Sequence, residues 1–296
     1  MNDPLRAGPV RLLRSANGGR YPSANAVYVE GAGVLIDTGT DREQLAALRD
    51  GPGVREVWLS HWHEDHIANL DLFEGVPLRQ ARREAAPLAD PETFMDWYGF
   101  DDAGVRDVWR RDLVDTWRFR PRRATAFLEP GEVIDLGVCT VEVLHTPGHT
   151  PGNLSFWFRE PGTLFSNDYD LTKFGPWYGD RDSSIEDTIA SCGRLRALSP
   201  RVWMTSHGEG FYGPEADALV DRYLAVIDAR EAKLLDFLSQ PRTLPEIAGQ
   251  WIVYWKPRQP LAFYRWAERA LMGKHLDRLQ RRGAVALEGG RWRRAA

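Results

Sequence analysis

Ser60-His61-Trp62-His63-Glu64-Asp65-His66 follows directly on Val57-Trp58-Leu59, an apolar run of strand type. Three histidines and an aspartate fall within six positions, in a chain with 7 histidines among 296 residues. Imidazole nitrogens and carboxylate oxygens are the donors that zinc and similar divalent ions take. A strand end feeding a tight loop can aim His61 and His63 at one point. Asp65 and His66, entering the next helix, can aim at a second point close by.

Three later pieces repeat the pattern of a strand ending in a metal-type donor. Thr146-Pro147-Gly148-His149-Thr150-Pro151-Gly152 follows a Val-containing strand, and its Pro and Gly residues fix a turn that presents His149. Leu164-Phe165-Ser166-Asn167-Asp168 is an apolar strand ending in a carboxylate able to bridge two metals, with Asp170 as its rival. Thr205-Ser206-His207-Gly208-Glu209-Gly210 presents His207 in the same way. Each piece is weak alone; their order and strand-end placement together form the signal.

Outward from these motifs the chain alternates short strands with helices. Residues 26–30 and 33–37 read as a strand pair around a glycine-containing turn, and residues 41–49 as a helix. Further strands are expected at 54–59, 138–144, 153–158 and 202–205. This mixture predicts an α+β layered architecture. Residues 81–120 are helical in composition and carry Trp97, Tyr98, Phe100, Trp109, Trp117 and Phe119. They read equally as helices packed on the core and as an aromatic lid. From residue 215 a long helix is expected, then a short one at 244–250, another at 262–283, and a hairpin turning at Gly289-Gly290. That succession suggests a small winged-helix-like unit.

Charge marks the same division. The formal net charge is −4, but residues 221–296 carry +7 and the remainder −11. The expected domains are therefore 1–218, catalytic, with a helical aromatic insert at 81–120, and 219–296, winged-helix-like. A chain 43% hydrophobic and 27% charged is neither disordered nor fibrous. No run of 18 apolar residues predicts a membrane span, and residues 1–8 lead into no apolar signal segment. Cys139 and Cys192 stand in no metal-ligand or Cys-x-x-Cys spacing. Both read as small buried hydrophobes, and a cytoplasmic location is expected.

The set His61-x-His63-x-Asp65-His66, then His149, Asp168 and His207, resembles the metallo-β-lactamase superfamily. Asn25-Ala26-Val27-Tyr28 and Leu35-Ile36-Asp37-Thr38-Gly39 are similar to that family's first strands. The resemblance covers roughly residues 10–213. It implies an αββα sandwich with a metal site at one edge of the sheets. It also implies that His61, His63 and His149 hold one divalent ion, that Asp65, His66 and His207 hold a second, and that Asp168 bridges them. Zinc is the first expectation; iron and manganese accept the same ligands. Ile67-Ala68-Asn69 stands where many thioesterase-type members have Ile-Gly-Gly, Asn153 where some have a histidine, and Asn167 where a glycine is usual. None of these departures removes a ligand. Thr243-Leu244-Pro245-Glu246-Ile247-Ala248, followed by His275-Leu276 and Gly283-Ala284-Val285, resembles the winged-helix-like domain of members of the β-lactamase-like protein 2 type. His275 and His145 read as structural.

The expected activity is hydrolysis of an ester, thioester or lactone of a moderately apolar acid by metal-bound hydroxide, with Asp65 orienting the nucleophile and shuttling its proton. Trp62, Tyr169, Trp177 and Tyr178 are candidate substrate contacts in a chain holding 12 tryptophans. The alternative is a nuclease or phosphodiesterase, which Arg278, Arg281, Arg282, Arg291, Arg293 and Arg294 would serve by neutralising phosphates. The acidic first domain makes a small molecule the expected partner ahead of nucleic acid, with no membrane. The tail is also a candidate homodimer contact. An inert binding protein is disfavoured by the full ligand set, and a mononuclear iron dioxygenase by the second group of donors.

Overall fold

The computed structural model describes residues 5–295. Seven strands form the first sheet in chain order: β1 (Arg6–Ala7), β2 (Val10–Leu13), β3 (Ala26–Val29), β4 (Val34–Ile36), β5 (Glu56–Trp58), β6 (Leu78–Ala81) and β7 (Ala126–Leu128). The first four pair antiparallel, and β4 to β7 run parallel. Parallel neighbours need crossovers, which helices supply. Helix α1 (Arg42–Asp50) joins β4 to β5, and α2 (Glu64–Ile67) lies between β5 and β6. The aromatic insert between β6 and β7 holds α3 (Ala85–Ala89), α4 (Pro91–Tyr98) and α5 (Ala103–Asp115). Asp90 and Asp102 cap α4 and α5 by accepting from the backbone N–H of Thr93 and Val105.

The second sheet contains β8 (Val133–Asp135), β9 (Thr140–His145), β10 (Leu154–Phe158), β11 (Thr163–Phe165), β12 (Val202–Met204) and β13 (Phe211–Tyr212), again in sequential order. Only β11 and β12 pair in parallel, with α6 (Ile185–Ala197) as their crossover. The strand expected at 138–144 begins at Thr140, because Gly137 and Val138 lie in an exposed turn.

Alternation along the strands builds the layers. Val27, Val29, Val34 and Ile36 of the first sheet meet Val141, Val143, Phe156 and Phe165 of the second in one buried cluster. The opposite face of the first sheet, with Tyr28, Leu35 and Val57, packs on helices. The outer face of the second, with Leu164 and Trp203, packs on α6 and on α7 (Ala216–Phe237). The result is the expected sandwich of two sheets between two helical layers.

Beyond α7 come α8 (Leu244–Ala248), α9 (Leu261–Arg281) and a hairpin of β14 (Val285–Glu288) and β15 (Arg291–Arg294). Thr243 and Glu246 form a reciprocal cap on α8. These elements share the outer cluster of the first sheet: Leu234 of α7 and Trp266 and Leu271 of α9 belong with Phe94 of α4 and Leu113 of α5. His275 is fully buried in α9, and Cys139 and Cys192 are buried free thiols. Among the described residues no helix is long and apolar enough to cross a membrane.

Candidate metal centre

The four donor-bearing motifs all sit just past strand ends on one edge of the sandwich. β5 runs out into Ser60-His61-Trp62-His63, and α2 begins at once, with Glu64, Asp65 and His66 in its single turn. His149 lies in the turn between β9 and β10, Asp168 just past β11, and His207 just past β12. One contact fixes how closely α2 approaches the loop after β4. A Cβ on Gly39 would stand 1.7 Å from the carbonyl oxygen of Asp65, so only glycine fits there.

Two donor groups result. His61, His63, His149 and Asp168 converge in one, and Asp65, His66 and His207 in the other. In the first, Nε2 of His149 is 3.1 Å from Nε2 of His61 and 2.9 Å from Nδ1 of His63. Donors about 3.4 Å apart are what a tetrahedral ion with ~2.0–2.1 Å bonds requires. In the second, Oδ2 of Asp65 is 3.4 Å from Nε2 of His207. Asp168 reaches both: its Oδ2 lies 3.2 Å from His149, and its Oδ1 lies 2.9 Å from Nε2 of His66. That last pair is not aligned as a hydrogen bond, and both atoms are buried without a hydrogen-bond partner. Buried polar atoms normally find partners. These two are left facing a common point, and the donor set fits a divalent ion there.

All five imidazoles are oriented by a bond at their other nitrogen. His61 Nδ1 meets Ser60 Oγ at 2.9 Å, His63 Nε2 meets Asp180 Oδ2 at 2.9 Å, and His66 Nδ1 meets Asp37 Oδ2 at 2.8 Å. His149 Nδ1 faces the carbonyl of Trp177 at 3.0 Å, and His207 Nδ1 that of Gly19 at 2.8 Å. Such partners set the tautomer and aim of a ligating ring. Asp37 also accepts from the N–H and hydroxyl of Ser60 and so ties the two groups together.

Electrostatics follows from burial. Desolvation, reinforced by the other rings, pulls His61 and His63 well below the ordinary imidazole range, leaving them neutral donors. Burial opposes charge on His207 as well, but Asp168 and Asp65 outweigh it and raise its pKa to about 10. Glu64, beside the ligands, is pushed up to about 8 by burial and by Asp65. Its carboxyl accepts from the hydroxyls of Tyr98 and Tyr21.

Five of the seven donors, His63, Asp65, His149, Asp168 and His207, line a cavity of about 530 Å³. Of the aromatic candidates, Trp177 lines it. Trp62, Tyr169 and Tyr178 do not; all three are completely buried, so the expectation of substrate contact is corrected for them. Trp62 packs edge-on against Phe94 and Tyr98 of the insert. The hydroxyl of Tyr169 donates to the carbonyl of Pro147 at 2.7 Å, and that of Tyr178 meets Nε2 of His275 at 2.8 Å. The cavity wall comes instead from Tyr98 and from Tyr254, Trp255, Phe263 and Tyr264 of the C-terminal segment. Asp170 lines the cavity too, but its carboxylate accepts from the N–H of Thr172, and it enters neither donor group. His145 bonds the carbonyl of Pro151 and stands apart from the centre.

Sequence reasoning does not find Asp180, which no motif marks. Asp37 stands in a quoted motif without an assigned role. Glu64 is hidden by being the interior residue of the densest motif.

Comparison with known proteins agrees with this geometry. Acyl-coenzyme A thioesterase MBLAC2 of Gallus gallus is 33% identical over 168 residues, which cover 53% of this chain and 57% of that protein. The chain thus spans little more than half the length of that relative. A probable polyketide biosynthesis zinc-dependent hydrolase, BaeB, of Bacillus velezensis is 34% identical over 167 residues, 54% of this chain and 65% of its own. The crystal structure of a metallo-beta-lactamase family protein from Thermus thermophilus superposes with a TM-score of 0.71 at 26% identity, covering 97% of this chain and 98% of that one. The metallo-beta-lactamase superfamily profile matches residues 18–207, all four donor motifs and all seven donors included, and the chain belongs to that superfamily.

Proposed function

We propose that this protein is a metal-dependent hydrolase that cleaves a thioester, or a related ester or lactone, of a moderately apolar acid, with two divalent ions held by the two donor groups. The observation that carries this reading is Asp168, whose one carboxylate reaches both groups: its Oδ2 lies 3.2 Å from His149 and 3.4 Å from His207, and its Oδ1 2.9 Å from His66. His61, His63 and His149 would hold one ion, Asp65, His66 and His207 the other, with Asp168 between. When bound, the ions bring a water toward ionisation at neutral pH and polarise the acyl oxygen. Zinc is the first choice, supported by the printed description of the Bacillus relative.

The chain's own residues do the rest. Asp65, itself one of the donors, lines the cavity; in this reading it orients the attacking water and takes its proton. Trp177, Tyr254, Phe263 and Tyr264 offer an apolar surface for the acyl chain and exclude bulk water. Water adds to the acyl carbon, the carbon–sulfur bond breaks, and an acid and a thiol leave. Thioesters come first because of the chicken relative's printed activity.

The arginines of the tail favour this reading over a nuclease. Arg278 and Arg281 pair with Glu186, Arg282 with Glu231, Arg291 with Glu246, and Arg293 with Glu288. These pairs, four of them at the surface, leave less free positive charge for a phosphate backbone. The test is metal analysis of the purified protein with a panel of thioesters, lactones and a bis-aryl phosphodiester. About two metals per chain with thioester turnover supports the proposal; turnover of the phosphodiester alone overturns it.

A further inference from the structure

The mouth of the cavity carries groups that neither metal binding nor an acyl chain needs. Trp255 is 58% exposed and Tyr21 43%, and among the described residues these are the large aromatic side chains left open to solvent; both line this cavity. Trp255 also sits at φ 63°, a left-handed conformation that a bulky residue seldom adopts. Its N–H donates to the carbonyl of Trp251 at 2.8 Å, and its ring meets Phe174 nearly perpendicularly, with centroids 6.1 Å apart. This backbone holds an indole that packs on Phe174 by an edge and stays 58% open to water, and such strain concentrates where ligands bind.

Three cations share the cavity with it: Arg20, Lys173 and Arg258. None of the three forms an ion pair among the described residues, although the tail arginines do. The guanidinium of Arg258 lies 5.6 Å from the ring centre of Tyr254 and 6.0 Å from that of Tyr264, which holds it at the wall. The cavity's carboxylates, Glu64, Asp65, Asp168 and Asp170, are all ligand residues or within two positions of one. The cavity is therefore divided into an acidic, ligand-bearing floor and a cationic mouth with an open indole face.

A carboxylated leaving group would use the cations and ignore the indole; an apolar one would do the reverse. A group that uses both is an aromatic base carrying phosphates, held by stacking and by charge-assisted bonds. Resting on the thioester reading above, we propose that this mouth is the subsite for the phosphorylated nucleotide end of a coenzyme A-type thiol. Trp255 stacks on the base, and Arg20, Lys173 and Arg258 hold the phosphates, while the acyl end points to the floor.

The experiment compares one acyl group on three thiols, coenzyme A, 4′-phosphopantetheine and N-acetylcysteamine, using the full-length metal-loaded protein. Binding of adenosine 3′,5′-bisphosphate is followed in parallel by calorimetry and tryptophan fluorescence. The expected result is a kcat/KM for acyl-coenzyme A at least tenfold above the phosphate-free thioester. That preference falls about tenfold in the Lys173→Ala/Arg258→Ala double variant, and bisphosphate binding is weakened in Trp255→Leu. Equal kcat/KM on all three thiols, with no bisphosphate binding, overturns the subsite and leaves the thioesterase reading standing. Equal use of acyl-phosphopantetheine and acyl-coenzyme A overturns the nucleotide assignment, since the carrier-type phosphate then suffices. If no thioester turns over, the functional reading fails. Bisphosphate binding that depends on Trp255 and Arg258 then still supports the subsite, and its absence overturns it.

Discussion

Nε2 of His63 lies 2.9 Å from Oδ2 of Asp180, a residue 117 positions later in the chain. That bond turns the other nitrogen of His63 toward His61 and His149. Replacing Asp180 by Asn keeps the shape but exchanges the carboxyl that orients the ring for an amide. Metal affinity in Asp180→Asn should fall about 10–100-fold, as for other outer partners of ligating histidines. Competition with a chromogenic chelator measures it, and an unchanged affinity would show that His63 needs no partner.

Asp168→Ala should act more severely, because it removes the one carboxylate shared by both donor groups. Elemental analysis is expected to find one metal per chain or fewer, with turnover reduced at least about a hundredfold. Two metals retained at full occupancy would refute the bridging role.

Stripping the metals should also loosen the fold. Five imidazoles and two carboxylates buried at close quarters are poorly compensated without a cation. Calorimetry before and after exhaustive chelation should show a lower Tm for the stripped protein, restored by adding metal back. An identical Tm would mean that the donors are balanced by hydrogen bonds alone.

Gly39→Ala tests the close approach between the loop after β4 and α2. With 1.7 Å to the carbonyl of Asp65, the added methyl group must push α2 aside. The variant should lose both stability, by about 1–3 kcal/mol for such overpacking, and metal affinity, because Asp65 and His66 ride on α2. Urea unfolding and metal titration read the two effects separately.

Acid should weaken the C-terminal packing. His275 is buried and, chiefly through desolvation, its pKa lies below the ordinary value of 6.5. Tyr178, Glu231, Arg230 and Arg278 surround it. The unfolded chain binds the proton more readily, so the stability from neutral His275 is complete above about pH 6.5 and is lost as pH falls below it. The urea midpoint should drop more between pH 7.5 and 5.5 in the parent protein than in His275→Gln.

Much of this candidate centre is legible in the sequence because its donors fall in four short motifs, each just beyond a strand. His61 to His66, His149, Asp168 and His207 needed only the fold to bring four strand ends to one edge. The residues that aim them are different. Asp180 lies in an irregular loop whose position is set by tertiary packing, so nothing local distinguishes it from any surface aspartate. The aromatic wall was legible only as an excess. Composition does not separate Trp177, which faces the cavity, from Tyr178, its neighbour, which is turned the other way into His275. The tail's basic excess misleads for a related reason, since its glutamate partners come from α6, α7 and α8 as well as from its own hairpin.

The loop from Phe174 to Arg181 supplies both the carbonyl that aims His149 and the carboxylate that aims His63, and the C-terminal helices grip it along its length. Arg230 donates to the carbonyls of Phe174 and Pro176 and to the hydroxyl of Tyr178, and Lys274 donates to the carbonyl of Arg181. The charge break near residue 221 therefore falls between a loop that aims two of the donors and the helices that hold that loop in place. A tail without Arg230 and Lys274 would leave the four acceptors of this loop without these donors, and the aim of His63 and His149 would loosen with it.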